Sequence, residues 1–132
     1  MKSLLALGLA ILYSTQMIKA SERIDTIKET LQLEVIEGES GYFAIRRISE
    51  IPVEALDGTS PASNSIYYAL DKERPQNHLH FLTPDDTHIL IEGGPADYYA
   101  FYPDGSVTKQ TMGRDLENGQ TAIVPTPGGC YK

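Results

Sequence analysis

Short β-prone segments separated by turn residues, from residue 41 onward, restrict the fold of this chain more than any other feature. Pro103-Asp104-Gly105-Ser106 is a hairpin-turn signal between two segments rich in aromatic and β-branched residues. Such segments predict seven strands, at residues 42–48, 64–70, 77–82, 88–92, 97–102, 107–112 and 120–124. Short strands with turns at this spacing indicate an all-β sandwich or barrel. Residues 50–63, with two prolines, a glycine and three Ser/Thr residues, predict a loop.

The first twenty residues are typical of a secretory signal peptide. Lys2 supplies the positive start, residues 4–13 form an apolar stretch too short to span a membrane, and Ala20 is a small residue before the expected cut. The alternative is an uncleaved, buried N-terminal helix. Residues 21–31 carry apolar side chains at helical spacing and predict a short helix that covers a sheet edge. We therefore expect a secreted, extracellular protein whose domain occupies residues 21–132.

Composition limits the partners and the means of stabilisation. A chain of 132 residues has room for one domain, and its net charge is −7 with no basic cluster. The acidity argues against nucleic acid and against an anionic membrane surface as partners. Cys130 is the only cysteine, so no internal disulfide can form and the domain depends on core packing.

The segment most suggestive of chemistry is His78-Leu79-His80, followed by Asp86. Two histidines separated by one residue point to the same side of a strand, and Asp86 could return a carboxylate to them. Together with Cys130 they would supply two imidazoles, a carboxylate and a thiolate, a set that suits Zn²⁺ or Fe²⁺. The alternative is that the histidines only form hydrogen bonds inside the fold.

These residues carry a resemblance to the cupin superfamily. Cupin barrels have a first motif of the form His-x-His, an acid and then a glycine, which is similar to His78, His80, Asp86 and Gly93. A second motif resembles Gly119 and Pro125, with Cys130 at the position of its metal-binding histidine. The resemblance thus implies His78, His80, Asp86 and Cys130 as metal ligands.

Within the cupins, the chain most resembles the family DUF985, also called cupin 5. The motifs that match in order, over residues 24–132, are Glu39-Ser40-Gly41-Tyr42-Phe43, Arg46, Ser65-Ile66-Tyr67-Tyr68-Ala69-Leu70, the segment 78–93 with Pro95, Pro103-Asp104-Gly105, Met112-Gly113-Arg114-Asp115, Gly119 and Val124-Pro125. The resemblance implies a double-stranded β-helix (jelly-roll) barrel, often dimeric, that holds a small ligand at its centre. The final strands of the family pattern are missing after Lys132, so we expect a C-terminally shortened barrel.

Three hypotheses about function follow. The first is a secreted cupin barrel that binds a small polar ligand through Arg46, Tyr68, His78, His80 and Asp86. Arg46 could clamp a carboxylate or phosphate, and a tyrosine offers a flat ring with one polar tip. The second is an enzyme, and the third is a degenerate copy that associates with a complete cupin chain.

The second hypothesis is a metal-dependent or epimerase-like enzyme with His80 or His88 as general base. His88 and Glu92 would form an acid–base pair if their face of the strand points inward. The sequence leaves that register open, because a shift of one residue moves every side chain to the opposite face.

Overall fold

The computed structural model describes residues 2–55 and 58–132, without the side chains of residues 2–15 and 18. The chain divides into two compact units, Met1–Asn77 and His78–Lys132, and each is described by itself.

The first unit opens with helix α1, Lys2–Leu31. It ends at the predicted residue because Gln32 adopts a left-handed backbone conformation with φ of 54°. The Gln32 N–H then donates to the Glu29 carbonyl, and the Leu33 N–H donates to the Lys28 carbonyl at 2.9 Å, which closes the helix C-terminus. The helix is longer than predicted, since it runs without a break through residues 2–20. Among the described residues, no helix is both long enough and apolar enough to cross a membrane.

The described residues of the first unit also form five strands, which are β1 Glu34–Val35, β2 Tyr42–Ile48, β3 Pro52–Ala55, β4 Gly58–Pro61 and β5 Asn64–Ala69. They form two antiparallel sheets, with the order β1-β2-β5 in one and β3-β4 in the other. The prediction of loop for residues 50–63 is therefore wrong. Its two prolines lie opposite each other, Pro52 against Pro61, at the open end of the β3–β4 hairpin. Both strands of a two-stranded ribbon are edge strands, so a proline, which has no backbone N–H, can stand where no hydrogen bond to a further strand is needed.

Tyr42 is the buried anchor of the first unit. Its ring lies 4.0 Å from the Lys28 ammonium and 5.7 Å from the Arg74 guanidinium carbon. Lys28 also pairs with Asp71, whose carboxylate accepts the backbone N–H groups of Glu73 and Arg74 at 2.9 and 2.8 Å. These contacts tie the last turn of α1 to the segment that follows β5.

The second unit contains a four-stranded and a two-stranded sheet. The strands are β6 Phe81–Leu82, β7 Asp86–Ile89, β8 Ala96–Phe101, β9 Val107–Met112, β10 Ile123–Thr126 and β11 Cys130–Tyr131. Their order is β6-β11-β8-β9 in the four-stranded sheet and β10-β7 in the two-stranded sheet. The strand predicted at 77–82 is reduced to its last two residues. The strand predicted at 120–124 begins at Ile123 and continues through Pro125, and β11 was not predicted.

Alternation along the strands gives the second unit one buried face. Ala100, Met112, Val124 and Cys130 are buried. The opposite face carries half-exposed aromatic rings, among them Phe81 and Tyr131, whose centroids lie 5.2 Å apart. Polar side chains of β7, β8 and β10 that alternate in step with these buried residues therefore point toward the same inner face.

Candidate functional site

A set of polar side chains lies on the inner face of the second unit. On β7, Asp86 and His88 point to one side and Thr87 and Ile89 to the other. Strand β10 pairs with β7 so that Thr126 lies opposite Asp86 and Val124 opposite His88. Directly opposed residues of antiparallel strands project to the same face, so Asp86, His88 and Thr126 share it.

Asp86 lies between two nitrogen donors. Its Oδ2 is 2.9 Å from His88 Nε2 and 3.5 Å from Lys132 Nζ. Since an ionised carboxylate can only accept, His88 donates its Nε2–H. The hydrogen bond from His88, helped by the charges of His88 and Lys132, outweighs partial burial and lowers the pKa of the Asp86 carboxyl to about 2. Asp86 is therefore an anion at any ordinary working pH.

Two buried polar atoms at this face have no hydrogen-bond partner within the described part of the chain. They are Lys132 Nζ and Thr126 Oγ1. The Lys132 side chain is only 6% exposed, and its ammonium forms an ion pair with the Asp86 carboxylate at 3.5 Å, which is longer than a typical N–H···O hydrogen bond. Its backbone is fixed by reciprocal hydrogen bonds of 2.9 Å with His80, which direct both residues to the same face.

Tyr98 on β8 extends the set. Its ring centroid lies 4.8 Å from that of His88, and its hydroxyl donates to Met112 Sδ at 3.9 Å. Burial, and then the negative charge of Asp86, raise the pKa of the Tyr98 hydroxyl, so it remains a hydrogen-bond donor. Tyr98 and Thr126 also line a small depression of about 20 Å³, whose lining does not include Asp86, His88 or Lys132. We call Asp86, His88, Tyr98, Thr126 and Lys132 the inner-face cluster.

The predicted metal ligands do not fit a metal ion in this arrangement. His78 is exposed, and His80 Nδ1 lies 3.0 Å from the His78 carbonyl oxygen. Cys130 is buried and its thiol donates to the Pro127 carbonyl at 3.1 Å. Asp86 is engaged by an imidazole and an ammonium. Among the described residues, no three His, Cys, Asp or Glu side chains are grouped to hold a metal.

The predicted acid–base pair of His88 and Glu92 takes a different form. His88 points inward, as the enzyme hypothesis required, and its side chain is 28% exposed. Strand β7 ends at Ile89, so the alternation does not extend to Glu92, which is exposed. The acid beside His88 is Asp86, two residues earlier on the same strand.

Arg46 and Tyr68, the other predicted ligand contacts, lie in the first unit. The exposed Arg46 guanidinium carbon is 5.4 Å from the centroid of the Tyr67 ring. The Tyr68 hydroxyl donates to the Ser40 carbonyl at 2.7 Å. These contacts give both side chains a structural role, and their role in ligand binding stays a prediction.

Three members of the inner-face cluster were not among the predicted site residues. Tyr98 could have been found, because only one ring of the Tyr98-Tyr99 pair can face inward. Thr126 and Lys132 carried no local signal: they reach the site through pairing with β7 and with His80, which are distant in sequence.

Known proteins support the fold seen here. A hypothetical protein from Leishmania major has a TM-score of 0.74 at 23% identity, covering 81% of this chain and 66% of that one. Protein SO0799 from Shewanella oneidensis has a TM-score of 0.67 at 26% identity, covering 81% and 65%. These likenesses, together with the family model reported below and the larger share of strand than of helix among the described residues, show an all-β cupin fold.

Sequence similarity identifies the family. The chain is 35% identical over 105 residues to the uncharacterized protein YML079W of Saccharomyces cerevisiae, which covers 71% of this chain and 52% of that protein. The chain thus spans about half the length of the curated relative that it matches. The family model described as Cupin superfamily (DUF985) matches residues 25–132. The chain therefore belongs to the DUF985 family of the cupin superfamily.

Proposed function

We propose that this protein binds a small polar ligand at the inner-face cluster. The observation that carries the proposal is the buried Thr126 hydroxyl, for which the described residues supply no hydrogen-bond partner, on the same face as the buried Lys132 ammonium, which pairs with Asp86 at 3.5 Å. Buried polar groups are almost always hydrogen-bonded, and leaving one unpaired costs about 1–3 kcal/mol. A ligand that accepts hydrogen bonds from both atoms would recover that cost on binding.

The surroundings suit a ligand of a few heavy atoms. The depression that Tyr98 and Thr126 line beside the cluster holds about 20 Å³, so only a very small molecule enters it without a shift of the surrounding side chains. The Tyr98 ring supplies an apolar wall, and Asp86 supplies an acceptor already shared between His88 and Lys132. Such a mixture of one ring and a few polar groups is typical of pockets for small oxygenated molecules.

A fragment screen by ligand-observed NMR tests the proposal. Fragments that bind the full chain are titrated again against Lys132→Met, which keeps most of the side-chain volume and removes the ammonium. We expect about 10- to 100-fold weaker binding, the loss of one charge-assisted hydrogen bond. Lys109→Met is the matched control, because Lys109 is half-exposed and pairs with Asp97 at 2.9 Å. Fragment binding that Lys132→Met leaves unchanged would contradict the proposal.

A second candidate function is acid–base catalysis with His88 as the general base. Asp86 holds Nε2 of the imidazole at 2.9 Å, which leaves Nδ1 to exchange a proton with a bound substrate. The observation that favours this function is that the Asp86 carboxylate orients the His88 imidazole, as a third group orients many histidine bases. Solvent-deuterium exchange into a small keto or hydroxy-keto compound, lost in His88→Gln and kept in His80→Gln, would support it.

We also infer that residues 1–20 are removed during export and that the mature protein is a homodimer. The signal-like N-terminus, with Lys2 before the apolar residues 4–13, supports the first inference, and the resemblance to dimeric cupins supports the second. Native mass spectrometry of the protein released by its own cells tests both. A mass that begins at Ser21, doubled in the native spectrum, is expected; a retained N-terminus or a monomer contradicts the corresponding inference.

A further inference from the structure

A long two-stranded ribbon in the first unit is exposed over most of its length. Strands β2 and β5 continue into β3 and β4, because the Ser49 N–H donates to the Ser63 carbonyl at 2.8 Å and so joins the two strand pairs. Strand β1 pairs only with Tyr42 and Phe43, at the start of the ribbon. Among the described residues from 45 to 66, none is buried. We call residues 45–66 the arm.

The arm carries five aliphatic side chains that face solvent. They are between 42% and 67% exposed, and they are Ile45, Ile48, Ile51, Val53 and Ile66. Ile45 and Ile66 lie directly opposite each other, so these two share one face of the ribbon. A two-stranded hairpin is at best marginally stable in water unless a further strand, sheet or helix packs against its apolar face. The arm therefore needs a surface to pack on.

A row of aromatic rings crosses the outer face of the four-stranded sheet in the second unit. Tyr131 lies opposite Phe81 on one side and opposite Phe101 on the other. Tyr99 stacks on Phe101, with ring centroids 6.5 Å apart. All four residues are between 40% and 51% exposed. We call Phe81, Tyr99, Phe101 and Tyr131 the aromatic row. Exposed apolar surface gathered in this way is typical of an interaction site.

The area of the two surfaces matches what a stable dimer needs. The aromatic row exposes about 400 Å², since each aromatic residue has roughly 150–250 Å² of surface and about half of it is accessible. The five aliphatic side chains of the arm expose a similar area. A specific interface buries about 800 Å² on each partner. Neither surface provides that area alone, whereas one arm and one row from each chain together provide it.

A second copy of this chain is the partner that presents both surfaces at once. In a twofold dimer, a contact between the arm of one copy and the row of the other is repeated in reverse, so both surfaces of both copies are covered. Resting on the homodimer proposed above, we infer that the two copies associate by exchanging arms. The arm of each copy packs its aliphatic side chains on the aromatic row of the other.

Two charge variants of the full chain test this exchange by sedimentation equilibrium. Ile51→Lys alters the arm, and Tyr99→Glu alters the row and keeps a cross-strand partner in Lys109. Each variant alone should raise the dissociation constant of the dimer at least tenfold, because both contacts of a symmetric dimer lose an apolar side chain. Ile91→Lys is the matched control for the arm. Ile91 is 67% exposed, as Ile51 is, and it lies outside both surfaces, so its replacement should change the constant by less than about twofold.

An equimolar mixture of the two variants gives the most specific result. One of the two contacts in a mixed dimer joins a natural arm to a natural row, and the other brings the new lysine to the new glutamate. The mixture should therefore dimerise at least tenfold more tightly than either variant alone.

The outcomes separate this inference from the proposed homodimer. A natural protein that is monomeric at 0.1 mM, on the order of cellular concentrations or above, overturns both, whether its arm packs on its own chain or binds another protein. A dimer that Ile51→Lys does not weaken overturns the exchange alone. Weakening by Ile51→Lys but not by Tyr99→Glu indicates contact between the two arms and also overturns it, as does a mixture that fails to recover. Should Ile51→Lys not fold, as judged by circular dichroism, Val53→Lys on the same strand replaces it.

Discussion

Replacement of Lys28 by methionine should destabilise the first unit by about 3 kcal/mol. Methionine keeps the apolar stem and removes the ammonium that pairs with Asp71 and lies 4.0 Å from the Tyr42 ring. The Asp71 side chain is 5% exposed and that of Lys28 is 19% exposed, so the pair is largely shielded from water.

The magnitude follows from what each partner loses. Removing one member of a buried ion pair costs about 3–5 kcal/mol when the other charge is left unsatisfied. Asp71 keeps two backbone N–H donors, from Glu73 and Arg74, which places the loss at about 2 kcal/mol. The lost cation–π contact with Tyr42 adds about 1 kcal/mol.

Urea unfolding of the full chain measures this loss, with Lys72→Met as the control. Lys72 is an exposed lysine next to Asp71, and its replacement should change the free energy of unfolding by less than about 0.5 kcal/mol. A double-mutant cycle of Lys28→Met with Asp71→Asn should give a coupling energy of about 2 kcal/mol. A loss below 1 kcal/mol for Lys28→Met, or a coupling energy near zero, would refute the reasoning.

Two further predictions concern the other parts of the fold. Gly41→Ala should lower the free energy of unfolding in urea by more than about 2 kcal/mol, because φ at Gly41 is +87° and an added Cβ would lie 2.6 Å from Tyr68 Oη and 2.8 Å from the Ala69 carbonyl oxygen. The control, Gly38→Ala, has a similar φ of +83° but open space around the position, so it should cost only about 1 kcal/mol. Equal losses for the two variants would contradict the steric argument. Folding lowers the pKa of the Asp86 carboxyl from 3.8 to about 2, so the stability that this carboxylate contributes is complete above pH 3.8 and is lost as the pH falls toward about 2. Over that range, the unfolding free energy of the natural protein, measured at a series of pH values, should fall by about 2 kcal/mol more than that of Asp86→Asn. Parallel pH curves for the two proteins would contradict this second prediction.

The sequence predicted those elements whose signal is local. Strands β2 and β9 have the predicted bounds, and the turn between β8 and β9 forms as expected, with Asp104 Oδ1 accepting the Ser106 N–H at 2.8 Å. Turn chemistry and alternation are properties of neighbouring residues, which makes them readable from one chain. The β3–β4 hairpin was missed because its two prolines indicate a loop until their opposition in the ribbon is known.

The site depended on pairing that a single sequence does not specify. Alternation on β7 brings His88 inward beside Asp86, and this part was among the predicted alternatives. Lys132 enters the cluster only because its backbone pairs with that of His80. The role of the His80 side chain as a ligand contact stays a prediction, and its backbone hydrogen bonds to Lys132, at 2.9 Å, could not be read from the sequence.

The short strand β11 has a consequence for the order of folding. It contributes only two residues, yet it pairs with β6 on one side and β8 on the other. The β8–β9 hairpin can form as soon as residue 112 has left the ribosome, because its contacts are local. The junction between β6 and β8 must wait for Cys130 and Tyr131, at the entropic cost of closing a long loop. A nascent chain halted before residue 130 should therefore hold a formed hairpin and an open sheet, with the half-exposed Phe81 ring still without its aromatic neighbour.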